Sequence, residues 1–490
     1  MPSTLNFKRP DVYIQEISKF PPSVAQVETA IPAFIGHTEF ARKDGEDLSF
    51  RPTRISSFLE YEQFYGGPQP EENLVVAIDD TTDLRGDVIN RSITAKFIDS
   101  AGPRSKHNMF YSLQIYFANG GGPCYIVSVG GYSETIGAEI PISEGTTQIF
   151  GNALTALRKE DEPTLYIVPE GQGMSLVNHT TVITAMLSEC AELQDRFVIA
   201  DVHNDGSSLV TSGQLNDVIK VFRDELPITK DVLKYGALYF PNIKSVFNYQ
   251  TKDGTVKIQH NVNGETGAGD LNDKLKDDPQ LDKALVAQID AAIDAFTINL
   301  PPSPGMAGIY ARVDNARGVW KAPANVSVFG INGLTFKVTD EMHNGLNVDV
   351  NAGKSVNAIR TFTGRGTLVW GARTLAGNDN EWRYISVRRF FNMVEESVKK
   401  ATNQFVFEPN DANTWAKVRA MIENFLLLQW RAGALAGAVP EHAFFVKVGL
   451  GATMTAMDIL EGRLIVEIGM AVVRPAEFII LKFSHKMQES

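Results

Sequence analysis

Two stretches of the sequence contain residue types that hold phosphate groups in other proteins. Residues 353–355 read Gly-Lys-Ser, like the end of a phosphate-binding loop. That loop also requires a glycine five residues before Gly353, where this chain has Val348. Residues 120–123 read Gly-Gly-Gly-Pro, but they lead into a predicted strand and so offer no helix N-terminus to an anion. We interpret the first stretch as coincidence and the second as the end of a helix.

Metal ligands and catalytic nucleophiles also lack their required spacing. Residues 79–87 are rich in aspartate, but a calcium loop needs glycine at its sixth position, where Leu84 stands. The eight histidines show no zinc spacing, such as two histidines on one helix face, and no serine lies in a nucleophile elbow. The sequence therefore predicts no catalytic residue, no metal site and no cofactor.

Composition narrows the class of protein further. A length of 490 residues predicts about three domains, and a net charge of -12 argues against binding nucleic acid through phosphate neutralisation. No apolar run reaches the roughly 18 residues needed to span a bilayer, and the N-terminus has no apolar signal core, so we expect assembly in the cytoplasm. Cys124 and Cys190 lie in apolar contexts and are predicted to be buried free thiols; a disulfide between them would require an oxidising compartment.

Apolar strands alternate with helices through the middle of the chain. This alternation predicts an open, mostly parallel α/β sheet, followed by a C-terminal helix-and-sheet domain of α+β type. The predicted strands of the sheet are residues 27–35, 124–129, 165–168, 197–200 and 236–240. The predicted helices between them are residues 148–158, 176–193 and 215–226.

Both chain ends contain strand patterns with no obvious sheet to join. Apolar residues alternate in 462–473 and again in 476–486, on either side of Arg474-Pro475. The first 24 residues contain a short strand pattern at 12–17 and prolines that favour an extended arm. Such strands need a sheet, either in their own subunit or in a neighbour.

Several segments in order resemble the tail sheath family of contractile phages and contractile injection systems. Residues 9–17 resemble that family's P-G-V-Y-x-x-E segment, with Asp11 where the family often has glycine. Residues 21–36 and 119–127 resemble further sheath stretches, the first especially those of injection systems. Residues 366–370 and 384–389 and the closing strands resemble the C-terminal sheath domain. Residues 41–106 and 248–278 match the family least.

The resemblance implies a non-enzymatic subunit that stacks in six-fold rings as a helical sleeve around an inner tube. Such a sleeve is built in a metastable extended state and contracts to drive the tube into a target cell. The implied partners are further copies of the chain, the inner tube protein, baseplate and tail terminator or cap proteins, and paralogous sheath subunits. The subunit would be assembled in the cytoplasm and then form part of a phage tail-like particle, extracellular or cell-anchored, without membrane insertion.

The resemblance also assigns parts of the chain. We expect an N-terminal arm at 1–24, an outer α/β domain at 25–355 with insertions near 41–106 and 248–278, a tube-facing domain at 356–461, and terminal strands at 462–490. The strands donated to neighbouring subunits would contain Val12, Tyr13, Ile14 and Ile17, and Phe478, Ile479, Ile480, Leu481 and Phe483. The acceptor sheet would contain Phe445, Val446, Leu464, Val466 and Ile468. The inner tube would contact Lys399, Lys400, Lys417 and Arg419.

Two alternatives remain at this point. A contractile bacteriophage tail sheath would differ from an injection-system sheath by the genes encoded beside it. An α/β enzyme, a hydrolase or a nucleotide-binding protein, would need a glycine fingerprint or a nucleophile elbow after its first strands, and the sequence contains neither.

Overall fold

The computed structural model describes residues 24–98, 107–132, 144–204, 206–226, 229–349 and 351–481. The chain divides into two compact units. The larger unit contains the described parts of Val27–Glu396 and Val473–Ser490. The smaller unit contains the described parts of Met1–Gln26 and Ser397–Val472. The four-part division expected from the sequence stays a prediction.

The larger unit combines strands and helices along the whole of its described length. Its strands are β1 (Pro32–Gly36), β2 (Arg42–Lys43), β3 (Glu46–Asp47), β4 (Thr53–Ile55), β5 (Leu74–Thr82), β6 (Val88–Phe97), β7 (Cys124–Ser128), β8 (Leu165–Ile167), β9 (Phe197–Asp201), β10 (Gly236–Phe240), β11 (Ile243–Asn248), β12 (Lys257–Val262), β13 (Thr297–Leu300), β14 (Val326–Ser327), β15 (Ile331–Leu334), β16 (Val356–Phe362) and β17 (Gly366–Val369). Its helices are α1 (Phe58–Tyr65), α2 (Met109–Ala118), α3 (Glu144–Leu157), α4 (Leu176–Leu193), α5 (Ser212–Asp224), α6 (Lys230–Leu233), α7 (Lys283–Ala295), α8 (Ser303–Arg317), α9 (Asp340–Asn347) and α10 (Ile385–Thr402), whose last residues belong to the smaller unit. A 3-10 helix lies at Gly171–Gly173.

The smaller unit is built mainly of helices and one pair of strands. Its elements after α10 are a 3-10 helix at Asn403–Phe405, α11 (Ala412–Arg431), α12 (Pro440–Ala443), β18 (Phe444–Val448), α13 (Ala456–Leu460) and β19 (Val466–Met470).

A nine-stranded sheet forms the centre of the larger unit. Its order is β14-β17-β16-β10-β9-β8-β1-β7-β4. The strands from β16 to β7 pair in parallel, whereas β4, β17 and β14 are antiparallel at the edges. The sheet confirms the predicted mixed α/β fold. Cys124 and Cys190 are free and buried, as predicted.

Helices cover both faces of this sheet, because successive strand residues point to opposite sides. Val198 belongs to an apolar cluster that includes Leu187 of α4. The next residue, Ile199, belongs to the opposite cluster, with Leu113 of α2 and Ile309 of α8. Strands covered on both faces are apolar throughout, which explains why the sequence shows continuous apolar runs there.

The two segments expected as insertions contribute to one small sheet. β5 and β6 lie within residues 41–106, and β12 lies within 248–278. β12 pairs in parallel with β5, and β5 pairs antiparallel with β6. The insertion expected at 248–278 is therefore partly strand. Ile258 and His260 point inward from a polar, glycine-rich stretch whose alternation is too short to be recognised locally.

Helices α2 and α8 approach closely at Gly308, which yields a stability prediction. A Cβ atom added at Gly308 would lie 2.4 Å from the main-chain oxygen of Tyr116, so the two helices would have to separate. We expect Gly308→Ala to lower the free energy of unfolding by about 1–3 kcal/mol, the usual cost of overpacking. The matched control is Gly345→Ala in α9, where the nearest atom is 3.6 Å away and alanine favours the helix. Equal thermal stability of the two variants would contradict the close approach.

Candidate assembly surface

The predicted acceptor residues lie mostly in a two-stranded ribbon of the smaller unit, formed by β18 and β19. The strands pair antiparallel, with Val446 opposite Ile468 and Val448 opposite Val466. Phe445 also lies in β18, opposite a glycine. Leu464 precedes the first paired residue of β19 and is outside the ribbon. The structure therefore brings together four of the five predicted acceptor residues.

Packing against α11 supports one face of the ribbon. Asp411 caps α11 by accepting hydrogen bonds from the backbone N–H groups of Asn413 and Thr414. On the ribbon, Val446 is buried while Phe445 is 43% exposed. Among the residues that the structure describes, β18 and β19 form a sheet with each other alone. A two-stranded ribbon is marginally stable by itself, so its outer edges are available for further strands.

The C-terminal segment is attached to the larger unit at Glu477. Arg373 donates hydrogen bonds from Nε and Nη2 to the Glu477 carboxylate, at 2.9 and 2.7 Å to the nearer oxygens. Asn347 Nδ2 and the Tyr384 hydroxyl donate to the same carboxylate at 2.7 and 3.1 Å. Burial raises the pKa of Glu477, but the hydrogen bonds and the charge of Arg373 outweigh it and hold the pKa below its ordinary value.

Arg373 connects this attachment to the central sheet. Its side chain is 5% exposed. Its backbone N–H donates to Oδ1 of Asn357 in β16, at 2.8 Å. Asn357 Nδ2 in turn donates to the main-chain oxygen of Leu238 in β10, at 3.1 Å. The carboxylate of Glu477 is therefore held by a residue whose backbone is linked, through the Asn357 side chain, to two adjacent strands.

Four consecutive apolar residues follow the attachment and are open to solvent. Phe478, Ile479, Ile480 and Leu481 are between 69% and 80% exposed. They form neither helix nor strand, and no residue that the structure describes pairs with them as a strand. A strand needs partners for its main-chain N–H and C=O groups, and a neighbouring subunit's sheet could supply them. The predicted strand at 476–486 therefore stays a prediction.

The other predicted site residues lie either outside the described residues or on two helices. Val12, Tyr13, Ile14, Ile17 and Phe483 lie outside the described residues. The predicted tube contacts are exposed and lie on two helices, Lys399 and Lys400 on α10, and Lys417 and Arg419 on α11. Their role stays a prediction.

Sequence reasoning missed the attachment itself. Glu477 and Arg373 are separated by 104 residues, and neither belongs to a motif. The available signal was a single acid beside Arg474-Pro475 in an otherwise apolar segment. A carboxylate that becomes partly buried in an apolar segment requires a hydrogen-bonding or charged partner.

Exposed apolar residues next to the Glu477 attachment, and a ribbon that no further described strand joins, are typical of a subunit that associates with other chains. Residues 377–486 match the family described as phage tail sheath C-terminal domain. The tail sheath protein of Vibrio phage KVP40 is 25% identical over 127 residues, which are 26% of this chain and 19% of that protein. The tail sheath protein of Enterobacteria phage T4 is 24% identical over 130 residues, with the same two shares. The sequence match thus spans about a fifth of these curated relatives.

Solved structures match over almost the whole chain. The sheath complex of the extracellular contractile injection system PVC, in its contracted state, is 29% identical with a TM-score of 0.62, covering 99% of each chain. The contracted helical sheath of the anti-feeding prophage AFP is 29% identical with a TM-score of 0.63, covering 98% of this chain and 100% of that one. A chain of the six-fold symmetrised AFP baseplate gives the same identity, TM-score and coverage. Together these comparisons support a tail sheath protein of the contractile type.

Within the described residues, no helix is both long enough and apolar enough to cross a membrane.

Proposed function

We propose that this chain polymerises as stacked six-fold rings around an inner tube, in a metastable extended state, and contracts to drive the tube into a target cell. The observation that carries this proposal is the exposed apolar run at 478–481, fixed at its base by Glu477. Burial of these side chains in a neighbouring subunit stabilises the assembly by roughly 25 cal/mol per Å² of apolar surface removed from water.

The acceptor we propose is the ribbon of β18 and β19 in a neighbouring copy. A third strand on the ribbon pairs main-chain groups along its edge and covers apolar side chains such as Phe445. The N-terminal arm with Val12 to Ile17 would add in the same way. Because each subunit both gives and receives strands, the contact is heterologous and builds an open helix.

Contraction requires that neighbouring subunits rotate without separating. Main-chain hydrogen bonds of an added strand survive a rigid-body rotation if the linking segment bends. Residues 473–476, around Arg474-Pro475, have no regular secondary structure and lie directly before Glu477, where this bending would occur.

The proposed partners are the inner tube protein, the baseplate, the terminator or cap proteins and paralogous sheath subunits. Near-complete coverage by injection-system sheath structures supports a sheath of that kind over a bacteriophage tail sheath. We propose assembly in the cytoplasm, followed by incorporation into a phage tail-like particle.

Negative-stain electron microscopy of the purified full chain tests the assembly. We expect hollow tubes of constant width, because the strands and their acceptors are present in every copy. Monodisperse particles of single-chain mass at all concentrations and salt conditions would overturn the proposed function.

The tube contact can be tested by charge reversal on α11. Lys417 is exposed, and Arg419 donates to Glu423 at 2.7 Å in an exposed pair that contributes little to stability. We expect Lys417→Glu with Arg419→Glu to lower co-purification of the inner tube protein at least tenfold, with thermal stability changed little. Lys220→Glu, an exposed lysine on α5 of the larger unit, is the matched control. Undiminished recovery of the tube protein would reject this surface.

A further inference from the structure

Three potential metal ligands meet at one place in the central sheet, although the sequence predicts no metal site. Along the chain, β1 is followed by β7 on one side of it and then by β8 on the other. The strand order therefore reverses between β1 and β8. In open α/β sheets, ligands bind outside the carboxyl ends of the strands at such a reversal. His37 directly follows β1, and Glu170 follows β8 by three residues.

The third group reaches the same point from the segment before α2. His107 Nδ1 lies 3.3 Å from Glu170 Oε1, and His37 Nδ1 lies 2.9 Å from Glu170 Oε2. The three side chains each present a ligand atom within 4.8 Å of the other two. Nitrogen and oxygen ligands at 2.0–2.2 Å from one tetrahedral zinc ion lie about 3.4 Å apart, so movements of about an ångström bring all three into place.

The surroundings orient the carboxylate toward the histidines. The Glu170 side chain is fully buried, and the backbone N–H of His37 donates to its Oε2 at 3.0 Å. A Cβ atom at Gly36 would lie 3.0 Å from the same oxygen, so glycine leaves the space that the carboxylate occupies. Such supporting hydrogen bonds are typical of metal ligands. His37 is 16% exposed, which gives an ion a route from solvent.

We propose that His37, His107 and Glu170 bind one divalent transition-metal ion of the zinc class. Two imidazoles and one carboxylate are a ligand set that such ions prefer over calcium or magnesium, which take oxygen ligands. The ion takes the place of the hydrogen atoms between the imidazole Nδ1 atoms and the carboxylate. A neutral imidazole then carries its proton on Nε2, and an imidazolium releases one proton to solvent. Three protein ligands leave a fourth position for water. The bound ion links the ends of β1 and β8 to the segment that leads into α2.

Metal content of the untagged full chain tests the site directly. The protein is first dialysed against EDTA, then against buffer with Zn²⁺ or Co²⁺, and bound metal is measured by mass spectrometry. We expect one equivalent per chain, a visible absorption band with Co²⁺, and a thermal midpoint that rises with Zn²⁺ concentration. Less than a tenth of an equivalent in the wild-type chain would overturn the proposal.

Variants and chemical protection locate the ion. We expect His37→Gln and Glu170→Gln to lose stoichiometric binding, with folding verified by circular dichroism. His442→Gln, at an exposed histidine, should keep it. Loss of binding in His203→Gln alone would assign the ion to the histidine pair formed with His179 and would overturn the proposal.

A measurement on the wild-type chain avoids any effect of substitution on folding. Zn²⁺ should slow the modification of His37 by diethyl pyrocarbonate at least fivefold and leave that of His442 unchanged. Equal modification of His37 with and without Zn²⁺ would also overturn the site.

Discussion

Replacing Ile479 and Leu481 together by aspartate is expected to abolish tube formation while the isolated chain stays folded. Both side chains are more than 70% exposed, so the substitutions should change the free energy of unfolding by less than about 0.5 kcal/mol each. In a donated strand, these alternate residues point to one face. A carboxylate buried there without a partner costs several kcal/mol, and that cost recurs at every contact between subunits of the assembled sheath.

Sedimentation and electron microscopy measure the assembly, and thermal unfolding measures the fold. The matched control is Leu84→Asp with Val210→Asp, because both residues are at least as exposed and apolar, and neither lies in the C-terminal segment. Control chains should form tubes like the wild type. Normal tubes from the Ile479 and Leu481 double variant would show that this segment is not the donated strand.

Removing the Glu477 carboxylate is expected to lower both the stability of the larger unit and the yield of tubes. Glu477→Ala leaves the buried guanidinium of Arg373 without its charged partner. Loss of one partner from a fully buried pair costs about 3–5 kcal/mol. Because Glu477 is 21% exposed, we expect about 2–3 kcal/mol. Glu381→Ala, at an exposed glutamate, is the matched control and should stay within about 0.5 kcal/mol of the wild type.

A double-mutant cycle distinguishes loss of the Arg373–Glu477 interaction from a general loss of stability. Arg373→Met with Glu477→Ala should be less destabilised than the sum of the two single variants, since neither charge is then left alone. Hydrogen exchange of residues 473–481 should speed up in Glu477→Ala. Additive free energies and unchanged exchange would mean that the pair does not fix the segment.

Acid should release the same attachment in the wild-type chain. The pKa of Glu477 is lowered from 4.5 by folding, so its contribution to stability is complete above pH 4.5 and is lost as the pH falls through the lowered pKa. Glu477→Ala should lack this part of the acid dependence, whereas Glu381→Ala should retain it.

The sequence predicts secondary structure that depends on neighbouring residues, but not contacts between residues far apart in the chain. Strand β9 and helix α4 were predictable because their own residues carry the apolar pattern. The parallel pairing of β12 with β5 joins residues about 180 positions apart and has no local signature. The same holds for Glu477 with Arg373.

The candidate assembly surface was predictable only in part. Of the acceptor residues that the resemblance assigned, Phe445, Val446, Val466 and Ile468 lie in β18 and β19, but nothing local indicated that Leu464 falls before the paired residues. His37, His107 and Glu170 escaped notice because they are brought together by the sheet order rather than by spacing. The ends of β1 at Gly36 and of β8 at Ile167 were the signal that could have placed His37 and Glu170 close together.

The attachment at Glu477 also determines how the subunit carries mechanical load. Tension on the C-terminal segment reaches Arg373 first, and through Asn357 it passes into β16 and β10, two interior strands of the central sheet. The pull therefore enters a sheet of parallel strands through side chains fixed across it, and does not unzip the sheet from one edge. In the proposed contraction, in which neighbouring subunits move past one another, these interior strands of each subunit would anchor the link between them.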